Sequence, residues 1–294
     1  MPWTNYHSHT DFCDGKYPPA SYANEVGRQG FAAYGFSSHA PLPFACAWCM
    51  ERQDLGKYSA DIQALKNRWT GKIQLYRGLE VDYIPAVIGP QSPFIQDLGL
   101  DYCIGSVHFV EAFADGIRWE IDGPHPQFLR GLREIFGNDI RRAVTRYYEL
   151  IRQMVVEEKP DVVGHLDKIK IQNQSAPLFD ERDDWYREAV AETLQTIAGS
   201  GLVMEVNTRG LYKKRAAETY PSRWILEQVH RMGIPVTLSS DAHHPREIAG
   251  CFAETAQMLR QIGYQTLQIL WNGSWQPAAF NENGLEKPQG VWRF

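Results

Sequence analysis

Asn5-Tyr6-His7-Ser8-His9-Thr10 carries two histidines one residue apart. On an extended segment alternate side chains share a side, so the two imidazoles project together and make half of a metal site. Partners for such a site appear further along, singly or in pairs: Asp14, His39, Glu80, His108 and His165, then Asp241 and His243 in Ser239-Ser240-Asp241-Ala242-His243-His244. Most of the nine histidines stand where an extended, apolar run meets a loop, which scattered surface histidines would not do so often.

That recurrence sets the expected fold. Strands are expected over residues 3–7, 31–38, 73–83, 101–110, 162–165, 202–208 and 234–239, with 266–271 as a final one. Helices are expected over 19–28 before Gly30, from a cap at Asp54 through 64–69, in a short turn through Ile95, and over 139–158, 185–198, 222–232 and 245–262. Strands alternating with helices argue for a parallel sheet, and the metal-type residues fall at the strands' C-terminal ends. Residues as far apart as His7 and His243 meet only if the strands close into a ring, because an open doubly wound sheet would hold its outer ligands apart. The expected fold is therefore α/β, a single TIM-like barrel domain over residues 1–294 with a metal site at its mouth.

Residues 109–137 break the rhythm. They hold Phe113, Trp119, Phe128 and Phe136, interrupted by Asp115-Gly116 and Asp122-Gly123-Pro124. Long excursions in compact domains are often functional, so this is read as a lid or pocket wall; the alternative is a packed surface excursion with a hairpin at Asp115-Gly116.

Composition limits the partners. A chain of 294 residues that is 44% hydrophobic can bury one large core. A net charge of −5 leaves no basic footprint for a long nucleic acid, which favours a small substrate. The absence of a long apolar run and of a basic, apolar leader points away from a membrane and toward the cytoplasm. Five cysteines form no disulfide framework, and Cys46-Ala47-Trp48-Cys49 lacks neighbouring partners for a structural zinc, so these two read as reduced loop residues.

A lone catalytic zinc takes three protein groups, whereas the nine candidates His7, His9, Asp14, His39, Glu80, His108, His165, Asp241 and His243 would serve two or three ions. Glu80 could bridge two of them through its two oxygens. Mixed imidazole and carboxylate donors suit zinc, iron or manganese. His125, His230 and His244 are left out, since His230 lies on a helix and the others lie beside prolines.

His7-Ser8-His9, Asp14, Ser38-His39, Gly78-Leu79-Glu80-Val81-Asp82-Tyr83, Gly105-Ser106-Val107-His108, Gly164-His165 and Ser240-Asp241-Ala242-His243 together resemble the polymerase-and-histidinol-phosphatase (PHP) family, most closely its histidinol-phosphatase branch. The resemblance runs from about Tyr6 to Gly250. It implies a distorted barrel of seven strand-helix units with a trinuclear centre: one metal on His7, His9, Glu80 and Asp241, a second sharing Glu80 with His108 and His165, a third on Asp14, His39 and His243.

The chemistry such a centre implies is phosphomonoester hydrolysis, expected on L-histidinol phosphate in histidine biosynthesis, with water activated between cations and aimed at phosphorus. Glu80, Asp241 and His243 are the expected catalytic groups, with Asp241 or His243 protonating the leaving oxygen. Arg209 and Lys170 are the expected phosphate-binding residues, since both follow strands and should face the mouth. Many members of that branch carry a small residue at the position of Arg209 and a basic one at that of Tyr212, a departure here that Lys213, Lys214 and Arg215 could offset. Asp82 could orient a ligand or meet the substrate's ammonium or imidazole. The alternatives are a PHP phosphoesterase for another small phosphate or a nucleotide, a metal-holding module without turnover, and an amidohydrolase, which also opens with paired histidines.

Overall fold

The computed structural model describes residues 2–173 and 177–286, so both ends of the expected 1–294 domain lie outside the described residues. Seven parallel strands form the central sheet: β1 (Thr4–Asn5), β2 (Ala33–Phe36), β3 (Gln74–Asp82) and β4 (Tyr102–Ser106), then, after a hairpin of β5 (Phe109–Ala112) and β6 (Arg118–Glu120), β7 (Val162–Val163), β8 (Val203–Asn207) and β9 (Val236–Ser239). Their order is β1-β2-β3-β4-β7-β8-β9, each beside its predecessor in the barrel. The ring is drawn shut by a parallel bridge between Ser8 and Ala242, in which His9 N–H donates to Ala242 O at 2.8 Å and Ala242 N–H to His7 O at 3.3 Å. The closing seam thus lies among the candidate ligands themselves.

Helices α1 (Pro19–Gln29), α2 (Leu55–Trp69), α3 (Pro93–Gln96), α4 (His125–Phe136), α5 (Ile140–Glu157), α6 (Asp184–Ser200), α7 (Arg209–Tyr212), α8 (Arg223–Arg231) and α9 (Phe252–Ile262) supply the crossovers and flank the barrel. Local chemistry accounts for their ends. Helix α1 starts with proline at its first position and stops at Gly30, whose φ of 70° a side chain would resist. Helix α5 starts where the Asp139 carboxylate accepts the Arg142 N–H, and it buries Val144, Tyr147, Tyr148, Ile151, Met154 and Val155 along one face.

Four expectations need correction. The strand expected over 101–110 ends at Ser106, and Phe109 opens the hairpin instead, because His108 turns into the mouth. Asp54 begins α2 without a side-chain capping bond. The helix expected over 245–262 is broken by Cys251 at φ 57°, leaving a short 3₁₀ turn at Pro245–Glu247 before α9. Finally, Thr266–Trp271 is β10 of a separate antiparallel sheet with β11 (Ser274–Asn281) and β12 (Gly284–Leu285). Asn272-Gly273, both at positive φ, makes its two-residue turn.

That sheet seals the end of the barrel away from the ligands. The Tyr6 hydroxyl donates to Leu270 O and accepts the Leu270 N–H, both at 3.0 Å, and Trp275 packs edge-on against the Tyr6 ring. Inside the barrel the Tyr102 hydroxyl donates to Tyr6 O at 2.5 Å, and its ring fills space that Gly35 and Gly78 leave open. A Cβ at Gly78 would lie 2.5 Å from Tyr102 Cζ. Gly78→Ala is therefore expected to lower unfolding free energy by about 1–3 kcal/mol through overpacking. A denaturant midpoint matching wild type would show that the ring does not fill that space.

Candidate metal centre

The strand ends deliver their side chains to one place. His7 and His9 follow β1, Asp14 the loop beyond it, His39 β2, Glu80 lies in β3, His108 follows β4, His165 β7, and Asp241 and His243 follow β9. All nine candidate ligands meet at the barrel mouth. Three groups have one donor atom per residue within 4.8 Å of one another: His9, Asp14, His39 and His243; His7, His9 and Asp241; and His39, Glu80 and His108.

Glu80 stands at the centre. Its Oε2 lies 3.1 Å from His7 Nε2, 3.5 Å from His9 Nε2 and 3.1 Å from His39 Nδ1, while Oε1 lies 3.0 Å from His165 Nε2 and 3.7 Å from His108 Nε2. Ser106 Oγ donates to Oε1 at 2.6 Å and helps to orient the carboxylate. Asp241 Oδ1 lies 3.2 Å from His9 Nε2, and Asp14 Oδ2 lies 3.0 Å from His243 Nε2. His39 adjoins both Glu80 and the Asp14 side, so the ligand groups overlap more than the family pattern suggests.

Several imidazoles have their tautomers set from outside. The Glu205 carboxylate lies 2.6 Å from His7 Nδ1, and Asp82 lies 3.0 Å from His108 Nδ1. A proton held on Nδ1 by an acid leaves the Nε2 lone pair facing inward, as metal-ligating histidines require. The inward atoms His7 Nε2, His9 Nε2, His39 Nδ1 and Asp14 Oδ1 are buried and make no hydrogen bond among the described residues. Orphaned donor atoms converging on carboxylates fit divalent cations, which satisfy several lone pairs at once.

Charge balance points the same way. Burial opposes ionisation throughout, yet His7, His39 and His108 hold the Glu80 carboxyl well below its usual range, and Arg209, His7 and Lys168 do the same for Asp241. Burial lowers His9 to about 4 and His39 to about 3, whereas carboxylates overcome burial at His7 and, through Asp82, push His108 up to about 9. The acids demand positive charge, from protons or from cations.

Beside this cluster opens a cavity of about 270 Å³. Its lining includes Lys168, Arg209, Arg215 and Tyr220 together with Trp48, Glu120, Asp122 and Gly123, and Lys168 pairs with Asp122 at 3.2 Å. Residues 109–137 thus contribute directly to the wall, seated by Trp119, whose indole N–H donates to Phe128 O at 3.1 Å. The expected turn at Asp115-Gly116 also exists, inside the β5–β6 hairpin.

Arg209 reaches the mouth, its Nη1 donating to Asp241 O at 2.6 Å. Lys170 does not. It is buried against Asp167 at 2.8 Å and Thr219 O at 3.3 Å, while Lys168 faces the cavity between Asp122 at 3.2 Å and Asp241 at 3.9 Å. The reason is local: after His165 the chain winds in a 3₁₀-type turn, where residues three apart share a face. His165 and Lys168 therefore point one way, and Asp167 and Lys170 the other.

Glu205 also escaped assignment, although an acid inside the apolar run Val203-Met204-Glu205-Val206 carries the same signal that singled out Glu80. Lys168, Trp48, Glu120 and Asp122 had no such signal. The Cys46 and Cys49 thiols are free and 2.7 Å apart.

A family model described as "PHP domain" matches residues 5–209. A Deinococcus radiodurans protein named "Probable histidinol-phosphatase" is 31% identical over 267 residues, covering 89% of this chain and 94% of that protein. The Bacillus subtilis protein named "Histidinol-phosphatase" is 29% identical over 261 residues, covering 82% and 94%. The structure of histidinol phosphate phosphatase from Lactococcus lactis, complexed with Zn, L-histidinol and phosphate, matches with a TM-score of 0.67 over 97% of this chain and 99% of that one; at 18% identity the likeness is one of fold.

Two substitutions and one titration test the centre. Glu80→Ala is expected to abolish turnover and lower bound metal, and survival of both would remove its bridging role. Glu205→Gln keeps every candidate ligand yet is expected to weaken metal retention about 10–100-fold in a chelator competition. Because protons compete for imidazole and carboxylate donors, retention is expected to fall as pH drops from about 7 to about 5.

Proposed function

The chain belongs to the PHP domain family, and from that membership and the geometry of its mouth we infer that it is a metal-dependent phosphomonoester hydrolase of the histidinol-phosphatase type, converting L-histidinol phosphate and water to L-histidinol and phosphate. The observation that carries this reading is the convergence of His7, His9, Asp14, His39, Glu80, His108, His165, Asp241 and His243 beside a cavity that also holds Lys168 and Arg209. A place in histidine biosynthesis follows from the reaction, and a cytoplasmic setting fits it. Among the described residues no helix is long and apolar enough to cross a membrane.

Two or three divalent cations held by these ligands, with zinc, manganese or iron as suitable ions, supply Lewis-acid polarisation of the phosphoryl oxygens and acidify a water nucleophile at neutral pH. The chain's own residues do the rest. Lys168 and Arg209 are kept cationic by the acids around them despite burial, so they are ready to meet a phosphate dianion. Their fixed positions place positive charge where negative charge spreads in the transition state. Asp241, held as a carboxylate, suits ligation and not proton donation. His243, biased toward its neutral form by burial and by Arg209, is likewise suited to ligation, its Nε2 lying 3.0 Å from Asp14 Oδ2.

Metal-reconstituted enzyme is expected to prefer histidinol phosphate over a nucleoside monophosphate and an aryl phosphate by kcat/KM; equal or reversed preference would overturn the substrate. Lys168→Ala and Arg209→Ala are each expected to lose about 100-fold in kcat/KM. Lys170→Ala is expected to act on folding instead, costing about 3–5 kcal/mol because it strands the buried Asp167 carboxylate.

A further inference from the structure

The cysteines of Cys46-Ala47-Trp48-Cys49 take no part in the chemistry above, yet the fold brings this stretch to the rim of the candidate metal centre. Residues 41–49 form a loop whose ends meet: Ala40 N–H donates to Glu80 O at 2.8 Å, and Met50 N–H to His39 O at 3.2 Å. Within it Cys49 N–H donates to Cys46 O at 3.4 Å, and this turn puts the two sulfurs 2.7 Å apart. A disulfide bond is about 2.05 Å long, so little movement separates the dithiol from its oxidised form.

The two thiols are unequal in the way that thiol exchange requires. Cys46 is half-buried and lines a cleft of about 360 Å³ shared with the exposed Asp115, Gly116 and Ile117, whereas Cys49 is buried. The Cys49 thiol donates to the Cys46 sulfur and draws Cys46 below its usual range, while burial pushes Cys49 up. An accessible sulfur with thiolate character attacks first, and its neighbour resolves the mixed disulfide.

Trp48 stands between the two cysteines. Its ring packs edge-on against His39 at 4.5 Å and His108 at 5.4 Å, stacks on Phe109 at 5.5 Å, and donates its N–H to Glu120 at 3.3 Å. An indole so placed covers one side of two candidate ligands. Movement of the loop would uncover them, and a covalent ring closed about Trp48 restricts that movement.

We propose that Cys46 and Cys49 form a reversible thiol–disulfide site, taking a low-molecular-weight disulfide as oxidant, whose closure locks Trp48 over His39 and His108 and slows metal exchange. The Cys46 thiolate attacks one sulfur of the oxidant and expels its first thiolate. Cys49 then gives up its proton and attacks the Cys46 sulfur, breaking the mixed disulfide and expelling the second thiolate. Two protein thiols are oxidised, one small disulfide is reduced to two thiols, and the two cysteine protons pass to them. The exchange chemistry is independent of the phosphatase reading, whereas the effect on metal rests on the same centre as that reading.

The test uses full-length, zinc-loaded protein treated with oxidised glutathione and desalted, beside Cys46→Ser and Cys49→Ser treated in the same way. Thiol alkylation and peptide mass mapping are expected to show wild type bonded between Cys46 and Cys49, lighter by two hydrogens and free of glutathione. Cys49→Ser is expected to retain glutathione on Cys46, and Cys46→Ser to leave the buried Cys49 unreacted. Zinc release to a chromophoric chelator is expected to be about 3–10-fold slower from oxidised than from reduced wild type. It is expected to recover after a phosphine reductant and to be unchanged by the oxidant in Cys46→Ser. Alkylatable Cys46 and Cys49 in treated wild type, or glutathione retained on it, would overturn the site. A Cys46–Cys49 bond with unaltered zinc release would overturn the lock. Protein that forms the bond but binds no zinc would keep the exchange site and overturn the metal centre together with the lock.

Discussion

The short parallel bridge between Ser8 and Ala242 is the constraint on which the rest depends. A parallel sheet left open would place β1 and β9 at opposite edges, and their histidine pairs would face different solvent. Drawing the edges together removes two exposed strand edges and brings His7 and His9 beside Asp241 and His243 in a single step. Closure is short because β1 is short: after Asn5 the backbone leaves regular pairing so that the imidazoles can turn into the mouth. The lower end is held separately, by Tyr6 and Tyr102 inside the barrel and by the β10–β12 sheet beneath them.

Such a mouth is costly as protein alone. Carboxylates and imidazoles are buried together, with inward-facing nitrogens that make no hydrogen bond among the described residues. The cost is met by organisation outside the ligands. Glu205 serves two strand ends at once, holding the His7 ring through Oε1 and accepting the His165 N–H through Oε2 at 2.8 Å. Asp82 does the same within one residue, accepting from both the backbone and the ring of His108. Asp241 takes a backbone φ of 52°, a strained conformation for a side chain to hold, with its carbonyl pinned by Arg209 and Tyr212. These contacts fix donor atoms before any ion arrives, which is the preorganisation that tight and selective coordination needs.

The irregular parts of the chain complete the site. A barrel with only its crossovers would leave the metal mouth open, and here the β5–β6 hairpin and the loop bearing Trp48 raise a wall on one side while the turn from Arg209 to Tyr220 raises another. Lys168, Arg209 and Arg215 share this lining with Trp48, Glu120 and Asp122. The regular framework thus supplies the metal cluster, and the interruptions supply the shape and charge that a substrate meets.

Much of this was legible in the residues. Ligand types recurring at the ends of apolar runs implied a closed α/β barrel and named the nine residues that meet at its mouth, because metal chemistry restricts the donor set and strand alternation restricts where donors point. Boundaries were harder: whether the chain continues or turns after Ser106 or after Glu247 depends on tertiary contacts that local patterning does not encode. The tertiary structure alone decided which lysine reaches the cavity. Lys168 and Lys170 differ by two residues, and extended-chain spacing cannot separate them, whereas a 3₁₀ turn sends one to the mouth and the other to Asp167. It alone also brought Trp48, Glu120 and Asp122 into one cavity with Arg209, since residues that far apart in the chain become neighbours through packing and leave no periodic trace.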